Sequence, residues 1–199
     1  MIKSSAQGTR RQIVEAALAT LKEEGFAGAT SRAIARRGGF NQALIFYHFG
    51  SLDGLLLAAL DATSAARLAR YRAAVAEART LEDLAEVAAR IYEEDRDSGH
   101  VKVVSQMVAG SLARPALAPE IVARMQPWIA FCEEALRGVI AGTPLEDVAP
   151  VADLAYAAVT FYLGVNLLTH LDADHTRTDA LFARTQQLAP LLAPFLTRP

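Results

Sequence analysis

Apolar residues recur along this chain at the spacing of an α-helix. In the first such segment, Ile13, Val14, Ala17 and Leu21 form one apolar stripe, with charged residues on the opposite side. No segment shows a sustained alternation of apolar and polar residues, which is the pattern of a half-buried strand. The sequence therefore predicts an all-α protein.

The same periodicity and the Gly and Pro positions predict about nine helices. All eight prolines lie at residue 115 or later, whereas glycines are concentrated in the first third, which indicates two parts. We expect a small domain over residues 1–50 that extends into a connecting helix at 51–78, and a helical body over residues 51–199. The predicted helices cover approximately residues 9–24, 31–37, 42–49, 52–78, 81–97, 101–113, 119–141, 151–171 and 178–196.

Residues 31–49 carry the most informative local pattern. Ile34 and Ile45 are placed to pack two short helices together, Gly39 can adopt the positive φ of a sharp turn, and Phe40 can fill the corner. Two short helices joined by such a turn form a helix-turn-helix, which presents its second helix to the major groove of DNA. The spacing alone also fits any helical hairpin with a glycine turn.

Charge is distributed unevenly along the chain. The net charge is −2, but residues 1–50 hold seven basic and three acidic side chains, a local net of +4, and the remainder has a net of −6. Arg32, Arg36 and Arg37 lie within the helix-turn-helix pattern. A basic head on an acidic body indicates that the head meets a polyanion.

The run TSRAIARRGGFNQALIFYHFGSLDGLLLAAL resembles the DNA-binding domain of TetR-type transcriptional repressors. Its most specific element is the aromatic-aromatic-His-Phe stretch at 46–49, and the resemblance covers about the first 60–65 residues. It implies three N-terminal DNA-binding helices, a long fourth connecting helix, and a C-terminal body that binds ligand and dimerises. The resemblance thus implies a homodimeric, ligand-responsive repressor that binds double-stranded DNA.

The resemblance also implies which residues contact DNA. Gln can pair with adenine through two hydrogen bonds, and aromatic edges can meet thymine methyl groups. Asn41 is in addition the expected cap of the third helix, and His48 is either a phosphate contact or a core-edge side chain bonded to a backbone carbonyl. The implied DNA-binding residues are Ser31, Arg32, Asn41, Gln42, Ala43, Leu44, Phe46, Tyr47 and His48.

Two positions depart from the family pattern. The family usually has Lys where Leu52 stands and often Thr where Leu44 stands. The loss of one phosphate contact is expected to weaken binding and to lower its salt dependence by about one unit. These departures keep an alternative open, in which the chain is a helical homodimeric adaptor or ligand-binding protein with a weakened DNA-binding head.

The body contains candidates for an effector site. Such a site needs apolar walls with a few convergent polar groups, and we expect a small, largely apolar ligand. The same aromatic and Met residues also fit an ordinary core. The candidate ligand-binding residues are Met107, Trp128, Phe131, Phe161, Tyr162 and Asn166.

The last two predicted helices, Val151–Leu171 and 178–196, carry apolar residues around much of their surface and are the expected homodimer interface. Two-fold symmetry predicts a palindromic operator, with recognition helices about 34 Å apart. Residues 154–171 lack charged side chains and are long enough to cross a bilayer. Because Asn166 and Thr169 lie within them, we expect burial in protein and no membrane association.

Other classes of function have little support in the sequence. The four histidines are scattered, no nucleotide-binding or hydrolase motif occurs, and the acidic run at 93–97 is interpreted as a solvated helix end. The single cysteine, Cys132, has apolar neighbours and is interpreted as packing. We therefore expect a cytoplasmic protein that is not an enzyme and that requires no metal and no cofactor.

Overall fold

The computed structural model describes residues 2–171, 176–188 and 191, and this part of the chain is helical, without strands. The all-α prediction is confirmed. Pro115–Leu117 and Pro144–Asp147 form short 3₁₀ segments. The α-helices are α1 (Ile2–Gly28), α2 (Ser31–Gly38), α3 (Ala43–Phe49), α4 (Leu52–Val75), α5 (Leu81–Ser98), α6 (His100–Ala113), α7 (Ala118–Ile140), α8 (Val151–Leu171) and α9 (Thr176–Leu188).

Most helix boundaries follow from local signals. The α5 helix begins at a capping box, in which the Thr80 side chain accepts from the Asp83 amide and the Asp83 carboxylate accepts from the Thr80 amide. The α1 helix starts earlier than the expected residue 9, and Gly25, with φ 71° and ψ −177°, interrupts it where the sequence predicts an end. Residues 189–190 and 192–196 of the last predicted helix lie outside the described residues.

The chain forms two compact units, and each boundary between them falls within a helix. The first unit comprises Met1–Ala66 and Lys102–Arg124, and the second comprises Arg67–Val101 and Met125–Pro199. Helices α4, α6 and α7 therefore contribute residues to both units. The functional division at residue 50 remains a prediction, because packing alone does not test it.

The first unit has a continuous apolar core. Leu55 and Leu56 of α4 and Met107 of α6 are completely buried in it, together with the apolar face of the N-terminal helices. The Phe26 amide donates to Gln106 Oε1 at 2.9 Å, which fixes the segment after Gly25 against α6. The N-terminal helices thus pack on a base formed by residues of α4 and α6.

The second unit joins its helices through aromatic and polar pairs. Tyr92 of α5 stacks on Phe182 of α9 with ring centroids 4.5 Å apart. The hydroxyls of Thr169 and Thr178 lie 2.6 Å apart in a buried contact between α8 and α9. These contacts hold α9 beside α5 and α8.

The α8 helix is apolar but little covered by its own chain. By length and hydropathy, Val151–Thr169 could span a membrane. The bent pair of Ala43–Phe49 with Leu52–Val75 meets the same criteria of length and hydropathy if the two helices are taken as one span. Only 17% of the α8 segment is buried. Tyr156, Phe161 and Leu168 are all exposed. Within the part of the chain that the structure describes, the other helices therefore do not provide the burial that the sequence predicts for α8.

Candidate nucleic-acid interface

The α2 helix is fixed at both ends by its own sequence. The Thr30 hydroxyl accepts a hydrogen bond from the Ala33 amide at 3.1 Å, which caps the first turn. Gly39 ends the helix in the left-handed conformation, with φ 67° and ψ 33°. Ile34 is completely buried between these ends, and the Phe40 ring lies where a side chain on Gly38 would stand. The tight turn that the sequence predicts is present.

The α3 helix follows this turn directly. The Asn41 side-chain carbonyl accepts from the Ala43 amide at 2.8 Å and so satisfies a donor at the helix start. Ile45 is fully buried and anchors α3 on the core, and Gly50, with φ 73°, ends the helix. Asn41 is therefore a capping residue, as expected, whatever further contact it makes.

The opposite side of α3 faces solvent. Phe46 is 47% exposed and Tyr47 is 81% exposed, which is unusual for aromatic side chains on a helix that packs against a core. Gln42 and Ala43 are also exposed. Together with Asn41 these residues form the exposed α3 face, and α3 is the second helix of a helix-turn-helix.

Gln42 is oriented by a residue of α2. Its Nε2 donates to the Ser31 hydroxyl at 2.8 Å, which links the start of α2 to the start of α3. An amide nitrogen carries two hydrogens and the amide oxygen accepts independently. Gln42 therefore retains one donor and one acceptor, the pair that bidentate recognition of adenine requires.

Some arginines near the helix-turn-helix have an acidic partner and others do not. Arg37 bonds Glu23 at 2.6 Å and Glu24 at 3.2 Å, and these hydrogen bonds raise the pKa of its guanidinium. Arg11 is paired with Glu15, 3.6 Å away. Arg32 and Arg36, in contrast, have no acidic partner among the described residues and are exposed. They share one face of α2 because they are four residues apart.

Arg36 is a functional candidate that the sequence-based list lacks. Its i, i+4 relation to Arg32 was visible in the sequence, but the sequence did not distinguish it from Arg37. The structure distinguishes the two arginines, because Glu23 and Glu24 lie beside the guanidinium of Arg37 and leave that of Arg36 open to an external anion.

The remaining candidates of the helix-turn-helix are half-buried. The His48 ring contacts Tyr47 edge-on, with centroids 4.9 Å apart, and among the described residues it makes no hydrogen bond to a backbone carbonyl. Leu44 and Leu52 pack against the core.

The start of α4 is capped by Ser51. The Ser51 hydroxyl accepts from the Gly54 amide at 2.9 Å and so satisfies a donor in the first turn of this helix.

The candidate ligand-binding residues separate between the two units. Met107 belongs to the core of the first unit, whereas Trp128, Phe131, Phe161, Tyr162 and Asn166 belong to the second. Within the second unit Trp128 contacts Phe131 edge-on, with centroids 6.4 Å apart. Phe161 is half exposed, and Asn166 is buried and donates to the carbonyl of Tyr162 at 2.8 Å.

One acidic residue is placed differently from the sequence interpretation. Asp95, read as part of a solvated helix end, is only 3% exposed. Its carboxylate accepts from the hydroxyls of Tyr71 at 2.9 Å and Tyr162 at 2.7 Å and forms an ion pair with Arg67. The periodicity of α5 puts Asp95 on the inner face, and its donors lie on α4 and α8, far away in sequence.

Two further sequence interpretations concern reactive groups. Burial raises the pKa of the Cys132 thiol to about 11, which disfavours the reactive thiolate. Within the described residues, no three His, Cys, Asp or Glu side chains form a group that could hold a metal ion.

Comparison with known proteins identifies related sequences. A family model described as bacterial regulatory proteins, tetR family, matches residues 13–59. A transcriptional regulator named BetI 1 from Chromohalobacter salexigens is 43% identical over 51 residues, which are 26% of this chain and 25% of that protein. BetI from Paraburkholderia phytofirmans is 34% identical over 100 residues, or 46% of this chain and 48% of that protein. These matches span between a quarter and half of the relatives.

The fold of the whole chain also has solved counterparts. The transcriptional regulator FadR from Bacillus subtilis, solved with stearoyl-CoA, superposes with a TM-score of 0.72 and covers 90% of this chain and 96% of its own. Its sequence identity is 16%, so this likeness concerns the fold. The matched segment at 13–59 contains the helix-turn-helix described above.

Proposed function

Because the chain belongs to the TetR family of bacterial regulatory proteins, which are transcriptional regulators, we propose that it binds a palindromic DNA operator as a homodimer and represses transcription. A small ligand bound in the second unit releases it. Two copies related by a two-fold axis would place two α3 helices in successive major grooves about 34 Å apart.

The observation that carries the proposal is the exposed α3 face beside the two open arginines of α2. Because these aromatic side chains are exposed, they can contact thymine methyl groups and bury apolar surface on doing so, and Gln42 is held by Ser31 in position to read a base edge. Arg32 and Arg36 provide charge for two phosphates without first breaking an ion pair. Base-reading and phosphate-binding groups thus lie on neighbouring helices.

A ligand can regulate this binding through α4. The α4 helix contributes residues to the core of the first unit and to the second unit, so it is the element through which we propose that a ligand in the second unit acts on DNA binding. A ligand shifts the DNA-binding equilibrium only by its differential affinity for the two states, typically about 1–3 kcal/mol of coupling. FadR, which shares the fold, was solved with stearoyl-CoA, which supports a ligand-responsive body.

The proposal is tested first by selecting bound duplexes from a random DNA pool with the full chain. We expect recovery of a palindrome, whose binding is then measured by fluorescence anisotropy over a range of salt concentrations. Without enrichment of any sequence, the repressor proposal is wrong, and the helical adaptor, which Leu44 and Leu52 keep open, replaces it.

Three matched arginine variants then identify the phosphate contacts. Arg32→Ala and Arg36→Ala should each lower the slope of log affinity against log salt by about 0.9, because each removes one released counterion. Arg37→Ala is the control, since Glu23 and Glu24 already engage that guanidinium. Equal slopes for all four proteins would show that these arginines do not contact DNA.

A further inference from the structure

The exposed α3 face carries no charged side chain. Between Gly38 and Leu52 the sequence contains no Lys, Arg, Asp or Glu. In the major groove, guanine is typically read by the donors of Arg or Lys, and cytosine is read by a carboxylate. The open arginines, Arg32 and Arg36, lie on α2, where the proposed function assigns them to phosphates. The exposed α3 face therefore lacks the side chains that read G·C pairs directly.

Apolar groups occupy three positions of this face. Phe46 lies one turn after Gln42, and Tyr47 lies one turn after Ala43, so each pair forms neighbours on the helix surface. The Tyr47 ring is supported by its edge contact with the ring of His48. The 5-methyl group of a pyrimidine is an apolar group that projects into the major groove. Contact between this methyl group and an exposed ring removes both surfaces from water.

The Gln42 amide is held in one orientation by Ser31. One hydrogen of Nε2 is used in the bond of 2.8 Å to the Ser31 hydroxyl, which leaves the second hydrogen and Oε1 for a base. Adenine presents an acceptor at N7 and a donor at N6, which match this pair. Guanine presents acceptors at both N7 and O6, so one of them would face Oε1. A fixed amide thus favours adenine.

We propose that the exposed α3 face recognises the 5-methyl groups of pyrimidines beside an adenine, so that α3 contacts A·T pairs in each half-site. Ala43, Phe46 and Tyr47 contact the methyl groups, Gln42 binds the adenine edge, and Ser31 is the positioning residue for Gln42. Because 5-methylcytosine presents the same methyl group, it substitutes for thymine at the aromatic contacts, whereas cytosine and uracil do not. This inference rests on the proposed function, since it specifies the operator.

The methyl groups are tested with the full chain and two random duplex pools, of which the second contains deoxyuridine in place of thymidine. We expect a palindrome with A·T pairs from the first pool and weaker enrichment from the second. In the selected duplex, each thymine is then replaced by uracil, by cytosine or by 5-methylcytosine, with guanine opposite both cytosines. Fluorescence anisotropy should show about fourfold weaker binding for uracil at a contacted position, and tighter binding of 5-methylcytosine than of cytosine by a similar factor.

Variants of α3 distinguish methyl recognition from a general loss of DNA binding. Phe46→Ala should reduce the preference for thymine over uracil to near unity at one position of the half-site. Arg32→Ala is the control, because loss of a phosphate contact lowers the affinity for both duplexes by the same factor. A Phe46→Ala variant that keeps the thymine preference at every position contradicts the assignment of this ring.

The positioning role of Ser31 is tested by base preference. Ser31→Ala should reduce the preference for adenine over guanine at one position by about tenfold, without changing the slope of affinity against salt. Ser31→Thr retains the hydroxyl and should restore the preference. A variant that only destabilises the helix-turn-helix would weaken binding to all duplexes alike and leave the preference unchanged, which would refute the positioning role.

The outcomes separate this inference from the proposed function. Equal affinity for thymine and uracil at every position, or for cytosine and 5-methylcytosine, overturns methyl recognition. A half-site of G·C pairs whose selection is lost in Arg32→Ala would replace it with guanine recognition from α2. In both cases a palindrome is still bound, so the proposed function stands. Without enrichment from the thymidine pool, the proposed function is refuted, and this inference with it.

Discussion

Tyr71 and Tyr162 hold a buried carboxylate with their hydroxyl hydrogens, and this arrangement has a consequence for alkaline stability. Burial, followed by the negative charge of Asp95, raises the pKa of Tyr71 to about 12, and the same causes raise the pKa of Tyr162. In the unfolded chain the Tyr71 hydroxyl ionises near its ordinary value of 10. Between these two values the unfolded state binds fewer protons than the folded state.

We therefore expect the free energy of unfolding to fall as pH rises from 10 to about 12, while the contribution is complete below pH 10. Tyr71→Phe should reduce this alkaline slope, which urea unfolding at a series of pH values measures. Tyr156→Phe removes a tyrosine hydroxyl from an exposed position and serves as the control. An unchanged slope in Tyr71→Phe would contradict the assignment.

Residue roles could be predicted from the sequence where the partners are close along the chain. As their spacing indicates, Ile34 and Ile45 are buried and Gly39 forms the turn between the two helices. These roles were predictable because the three residues lie within one short helix-turn-helix segment. Asp95 could not be assigned, because its partners are 28 residues before it and 67 residues after it. Local charge pattern suggests a solvated residue, and only tertiary packing reveals a buried one.

At the scale of elements, the turn between α2 and α3 determines how α3 is presented. Gly39 has φ 67°, a conformation that costs an L-residue about 1–2 kcal/mol. No atom lies within 4 Å of the position a side chain would occupy, so the cost is conformational and not steric. Gly39→Ala should lower the free energy of unfolding by about that amount and weaken DNA binding.

Gly138 provides the matched control for this substitution. It lies within α7, also without an atom within 4 Å of an added Cβ, and its φ is not positive. Gly138→Ala should therefore raise stability by about 0.5–1 kcal/mol, since alanine loses less entropy in a helix. Chemical denaturation measures both variants, and equal effects would show that backbone conformation at Gly39 is not the cause.

Helix positions were largely predictable, because periodicity and capping are local properties. The α8 helix has the predicted bounds, Val151–Leu171, and α2 and α5 each exceed the prediction by one residue at the C-terminus. The start of α1 was missed, since residues 2–8 carry no apolar stripe and are helical without one. The two 3₁₀ segments were also missed, as each is a single short turn beginning with proline.

At the scale of the whole molecule, α8 has an exposed apolar surface that the other described residues leave uncovered. Leu168 is 66% exposed, Tyr156 and Phe161 are exposed on the same helix, and Leu188 is exposed on α9. An apolar surface of this kind marks an interaction site. It supports the proposed homodimer, in which two copies of α8 and α9 form a four-helix bundle.

Two glutamate substitutions test whether α8 forms this interface. Leu168→Glu places an unpaired charge at the proposed contact, twice by symmetry, and should weaken the dimer by roughly 100-fold or more. Leu112→Glu makes the same change on α6, where the leucine is 85% exposed, and should leave the dimer intact. Sedimentation velocity over a range of concentrations measures both. Because the two DNA-binding domains of a dimer read a palindrome together, Leu168→Glu should also lose affinity for the operator while retaining weak binding to a half-site. A wild-type chain that is monomeric would refute the dimer, and with it the palindromic operator.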